Sequence, residues 1–95
     1  MTTDVELSRP LMIMHPQDNV AVCLRPLDAG EEIPVTRNDT AMSITVLGAV
    51  PLGHKIALSH IASGQAILKY GEIIGRATKD IAPGQHVHTH NISDY

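Results

Sequence analysis

One spacing recurs along the chain: an apolar residue, a glycine three positions later, and a second apolar residue three beyond that. It occurs at Leu27-Gly30-Ile33, Val50-Gly53-Ile56, Ile61-Gly64-Ile67 and Ile81-Gly84-Val87. Glycine tolerates the positive φ that tight reversals need, so each of these marks a place where a chain leaving one strand turns back. Pro51 and Pro83 stand just before two of the glycines, where they suit a turn and would break a helix interior. Four such reversals within 95 residues leave room only for short elements.

The segments between the turns are rich in branched residues: Leu11 to Met14, Val20 to Leu24, Met42 to Leu47, Lys55 to Leu58, Ala66 to Tyr70, Ile73 to Ala77 and His86 to Thr89. Their lengths and Ile/Val content predict strands. No long stretch keeps helical spacing without Gly or Pro, so little helix is expected. Glu32 to Thr40, with Pro34, Arg37, Asn38 and Asp39, reads as a hairpin or loop tip. The ends, Met1 to Pro10 and Ser93 to Tyr95, read as loose. The expectation is one mainly β domain over residues 1–95, with its core over about 11–91 and no dividing linker.

Phe and Trp are absent and the only aromatics are Tyr70 and Tyr95, so the core must be built from Ile, Val, Leu, Met and Ala. A core that small is marginal alone and favours a partner chain or self-association. The net charge is -3 and neither Lys nor Arg clusters, which argues against nucleic acid as a partner. No window has the roughly 18 apolar residues of a membrane span, and Met1 to Arg9 is too polar for a signal peptide, so the chain reads as cytoplasmic. Cys23, the single cysteine, excludes an internal disulfide and reads as a small buried apolar residue.

Four constellations are candidates for chemistry. In His86-Val87-His88-Thr89-His90, a strand would project His86, His88 and His90 from one face and Val87 from the other. Imidazoles so placed can bind a metal, meet an anionic substrate or pass protons; they can equally be a solvated strand face. His15-Pro16-Gln17-Asp18-Asn19 is a polar loop in which Asp and Asn either serve a site or bond local backbone. Gly53-His54-Lys55 places an imidazole and an ammonium after a turn, as an anion pocket or as solvent-facing side chains. In Lys69-Tyr70-Gly71-Glu72, a tight hairpin competes with a site in which Tyr70 offers a hydroxyl beside the close-approach position Gly71.

Taken in order, four runs resemble the amino-terminal domain of the altronate/galactarate dehydratase family. They are His15-Pro16-Gln17-Asp18-Asn19-Val20-Ala21-Val22, Gly53-His54-Lys55-Ile56-Ala57-Leu58, Ile67 to Ala77, and Gly84-Gln85-His86-Val87-His88-Thr89-His90-Asn91. The resemblance covers about Leu11 to Asn91. It implies a compact β-clip fold of the SAF type. It also implies metal-dependent, usually iron-dependent, dehydration of a sugar acid to a 2-keto-3-deoxy acid, with Fe2+ or another divalent metal held mainly by a large catalytic subunit.

On that resemblance the chain is the small subunit of a hydro-lyase, inactive alone. His15, His54 and Lys55 are then expected in catalysis, Asp18, Asn19, Tyr70 and Gly71 in substrate binding, and His86, His88 and His90 as metal ligands. Three alternatives stand beside it. One is the small subunit of a sulfolactate sulfo-lyase; another is a noncatalytic SAF module that grips a carbohydrate acid; the third is an independent metal-binding protein built on the histidine run.

Overall fold

The computed structural model describes residues 10–94, and within them every regular element is a strand. The strands are β1 (Leu11–Met12), β2 (Val20–Cys23), β3 (Glu32–Arg37), β4 (Thr40–Thr45), β5 (Lys55–Ala57), β6 (Ala66–Lys69), β7 (Glu72–Ala77), β8 (His86–Val87) and β9 (Ile92–Asp94). The expected mainly β architecture is what forms, and among the described residues no helix is long and apolar enough to cross a membrane. The predicted looseness of Met1 to Pro10 falls, but for Pro10, outside the described residues.

Three antiparallel pieces stack. A four-stranded sheet in the order β1-β2-β5-β8 lies between the two-stranded β3-β4 hairpin and a three-stranded sheet β6-β7-β9. Side chains alternate along each strand, so the middle sheet feeds two separate cores. Leu11, Ala21, Cys23 and Ile56 pack on one side with Ile33, Val35, Ile44 and Val46 of the hairpin. Val20, Ala57 and Val87 pack on the other with Ile67, Ala77 and Ile81. Without large aromatics, each core is a thin layer of branched aliphatic side chains.

The recurrent glycines mark two equivalent frames. Leu27 and Val50 exchange backbone hydrogen bonds, as do Ile61 and Ile81. Gly30 N–H donates to Val46 O and Gly64 N–H to Ala77 O; Gly53 N–H donates to Cys23 O and Gly84 N–H to Ala57 O. All four glycines have φ between 84° and 92°. Each frame encloses one hairpin, β3-β4 in the first and β6-β7 in the second. Strand β5 closes the first frame, through Cys23 and His54, and opens the second, through Ala57 and Gln85.

Several elements differ from the sequence reading. Glu32 to Arg37 is a full strand, with only Asn38 and Asp39 left to form the turn at positive φ. Pro34 is accommodated because β3 pairs on one side only, so its missing N–H faces no partner strand. Ser93 and Asp94, expected to be loose, belong to β9, where Ser93 pairs with Arg76 and Asp94 with Gly75 of β7. The strand expected over His86 to Thr89 stops at Val87 and turns back on itself through Asn91.

Candidate functional site: a cluster of imidazoles at the sheet edge

Strand register decides which side chains meet. Ile56 pairs with His86 and Lys55 with Val87, and continuing that ladder sets His54 opposite His88. His54, His86 and His88 therefore share the side of the sheet occupied by Ile56, while Lys55 shares the other with Val87. The His54 and His88 rings stack with centroids 3.9 Å apart, and those of His54 and His86 stand 5.1 Å apart. His54 Nδ1 lies 2.9 Å from His86 Nε2, so one nitrogen carries the shared proton and the other accepts it. His90 adds a fourth ring, tilted, 5.0 Å from His86.

The turn that presents these rings is held from inside. Asn91 is fully buried; its Oδ1 accepts the His88 N–H at 3.0 Å and its Nδ2 donates to His86 O at 2.9 Å. One amide thus pins the backbone of two imidazole-bearing residues. The sequence offered a weak signal for this, an asparagine ending the histidine run, which is the residue type that bonds local backbone in turns.

His54, His86 and His88 each offer one ring nitrogen, and the three lie within 4.8 Å of one another. Nitrogen donors at adjacent positions around a divalent cation stand about 3 Å apart when metal–nitrogen bonds are about 2.0–2.1 Å. The donor set fits such an ion, and imidazole nitrogens suit iron or zinc. Of the histidines expected as ligands, His86 and His88 converge with His54, which the sequence reading assigned to catalysis, while His90 stands beside that set.

The electrostatics favour neutral rings. Burial pushes the His86 pKa below the ordinary 6.5, and the neighbouring His90, His54, His88 and Lys55 add to it. His88 is lowered in the same direction, by desolvation and then by His54, Lys55 and His90. Burial lowers the Lys55 ammonium too, with the Lys69 charge contributing. A histidine whose folded pKa is depressed stabilises the protein above its unfolded value and loses that contribution as the pH falls through the folded one. The thermal midpoint of the chain is expected to drop as the pH is lowered from about 7 through the ordinary imidazole value near 6.5. A His86→Gln/His88→Gln variant, followed by circular dichroism, should drop less.

The other expected site residues gather elsewhere. Asp18 is fully buried, and its two carboxylate oxygens accept the backbone N–H groups of Tyr70, at 3.0 Å, and Gly71, at 2.8 Å. Asn19 donates to Ala66 O and accepts from Leu68 N–H. Both were expected to bind substrate; their side chains instead fasten the loop before β2 to the β6-β7 hairpin and are closed to a ligand. Tyr70 and Gly71 form that hairpin's turn, both at positive φ, with the Tyr70 ring exposed. Glycine suits position 71 because its φ is 73°, and a Cβ there would also push the His15 ring aside, its nearest atom standing 2.8 Å away.

The loop group and the imidazole cluster sit at opposite ends of the β2-β5 ladder, where Asn19 bonds Leu58 at one end and Cys23 bonds His54 at the other. Four residues of strand at about 3.4 Å each separate them by roughly 14 Å. Cys23 is fully buried and burial pushes its thiol up to about 11, so it is a core residue and not a nucleophile.

Residues 9–95 match the family described as the altronate/galactarate dehydratase SAF domain. The chain belongs to that family. This SAF domain is 46% identical over 78 residues to altronate dehydratase of Escherichia coli, and 42% identical over 78 residues to that of Bacillus subtilis. Both matches take in 82% of this chain but only 15% of the relative. The (2R)-sulfolactate sulfo-lyase subunit alpha of Chromohalobacter salexigens is 32% identical over 84 residues, covering 84% of this chain and 89% of that subunit. The SAF domain thus corresponds to a small part of the dehydratases and to nearly the whole of a lyase subunit.

Proposed function

We propose that this SAF domain is the small subunit of a metal-dependent sugar-acid dehydratase of the altronate/galactarate type, completing a site shared with a separate large catalytic subunit. The observation that carries the reading is the convergence of His54, His86 and His88 on one point at an edge of the sheet. Eliminating water from a hydroxy acid requires removing a proton next to a carboxylate while hydroxide departs. A divalent ion, Fe2+ foremost, held by these three imidazoles and by groups of the large subunit would supply Lewis acidity toward the substrate's oxygens. The chain's own part is to keep the rings neutral and aimed. Asn91 fixes the turn, burial favours the unprotonated state, and His90 stands next to His86 as a proton carrier. Such an enzyme would work in the cytoplasm.

The match to nearly the full length of a sulfo-lyase alpha subunit favours a second reading within the lyases, expulsion of sulfite from a similar hydroxy acid. Turnover of altronate, galactarate and sulfolactate by the large subunit with ferrous iron, with and without this chain, separates the two. We expect turnover of one substrate class to need the chain and to collapse with His54→Ala, while Fe2+ binding by the complex, read by calorimetry, weakens about 10-fold or more. Equal turnover without the chain overturns the subunit reading and leaves a noncatalytic binding module.

A further inference from the structure

At the end of the molecule away from the imidazole cluster, a cleft of about 480 Å³ opens between the loop Ile13 to Pro16 and the tip of the β3-β4 hairpin. Arg37 lines it, at the last position of β3. Its guanidinium is held by a hydrogen bond from Nη2 to the backbone carbonyl of Asp18, and its buried Nε has no acceptor. No carboxylate pairs with it among the described residues: the one ion pair joins Arg25 to Glu31, and Asp39, two positions from Arg37, makes none. An arginine that is partly buried, fixed in place and without a counter-ion offers a carboxylate its charge and its remaining outer N–H groups.

His15 faces the same cleft in a defined state. Its Nδ1 accepts the Gln17 N–H at 3.1 Å, which in the neutral ring leaves the proton on Nε2. That N–H has no acceptor among the described residues. The ring is braced from behind by Gly71, whose turn is in turn gripped by Asp18. The Asn38 side chain ties the hairpin tip across the cleft to Pro16 O. Arg37 and His15, one cationic and one neutral, thus line one solvent-open space on two segments that are tied to each other.

We propose that this cleft is a carboxylate subsite, in which Arg37 takes the carboxylate of a small hydroxy acid and the His15 Nε2–H donates to an adjacent hydroxyl. The inference rests on the hydroxy-acid lyase reading for its ligand class. It adds a residue, Arg37, and a second anchoring point some distance along the fold from the imidazoles. A second molecule of the hydroxy acid, and not the remote end of one held at the imidazoles, suits such a point, because a six-carbon chain is shorter than the roughly 14 Å of strand between the two groups.

The test is titration of the intact chain with galactarate, followed by NMR, with galactitol as the control that keeps the hydroxyls and lacks both carboxylates. Galactarate should shift the Arg37 Nε–H, the Asn38 side-chain amide and the His15 ring, and galactitol should not. Arg37→Gln should weaken that response about 10-fold or more, and Arg37→Lys, which keeps the charge but loses the fork, less. His15→Gln serves as the second variant should Arg37→Gln fail to fold; it too should weaken the response. Absence of shifts at these groups, shifts confined to the imidazole cluster, or an undiminished response in the folded variants would overturn the proposal. Binding that survives in this chain while no hydroxy acid is turned over by the assembled enzyme would instead refute the lyase reading and leave the subsite standing.

Discussion

Replacing Gly84 by alanine is expected to strip the chain of a large part of its stability. Gly84 closes the second frame at φ 86°, and a Cβ built there would stand 1.9 Å from the carbonyl oxygen of Thr45, at the end of β4. Two independent costs combine. An L side chain in the left-handed region costs about 1–2 kcal/mol, and forcing an atom into packed backbone costs about 1–3 kcal/mol more. Neither side can yield cheaply, because Leu47 N–H donates to Gly84 O just beyond the point of contact. A chain of this length has a total stability of about 5–14 kcal/mol, so a loss of about 2–5 kcal/mol removes a large share of it. Urea unfolding followed by circular dichroism checks this. Gly30→Ala is the internal control, since it has a similar φ but open space around its Cβ position; it should lose only the backbone part. Equal losses in the two variants would refute the packing argument.

The second large effect is expected for Asp18→Ala, and it should be local before it is global. The carboxylate is the acceptor for two part-buried N–H groups at the Tyr70-Gly71 turn. Truncation orphans both, and each unsatisfied buried donor costs about 1–3 kcal/mol. The predicted loss is about 2–6 kcal/mol, accompanied by rapid amide exchange at Tyr70 and Gly71 and by release of the His15 ring from its brace. Asp18→Asn should recover only part, because its amide presents donors where an acceptor is needed. A substrate-binding role for the Asp18 side chain makes the opposite forecast: unchanged stability and unchanged exchange at the turn, with only turnover affected.

Much of the architecture was legible in the sequence because it depends on local chemistry. The four glycine turns are a backbone requirement written directly as residue type, and the alternation of His86 with His88 survives because a strand and its immediate continuation keep period 2. The β3 strand was readable in the same way, with Ile33 and Val35 buried between exposed neighbours, but Pro34 argued against it until the one-sided pairing of β3 was known. The short strand β9 exists only because β7 offers it an edge, which no local pattern records.

The site was less legible for a related reason. Nothing in the order of residues says that His54 lies across from His88, since that contact is set by the register of β5 against β8. Polar residues such as Asp18 and Asn19 look alike in sequence whether they face solvent or tie two hairpins together; burial alone separates these roles. Arg37 stood in a segment read as a hairpin or loop tip, and its significance comes from the absence of a counter-ion among the described residues, which sequence does not display.

The double membership of β5 sets how the molecule comes apart. Its three residues complete the hydrogen bonding of the first frame and begin that of the second, so neither frame can open without stripping the other of a strand. The amides of Ala21, Ile56 and Ala57 should therefore exchange with solvent only through whole-molecule unfolding, all at one free energy. The hairpin tips at Asn38-Asp39 and Tyr70-Gly71 should open on their own and sooner.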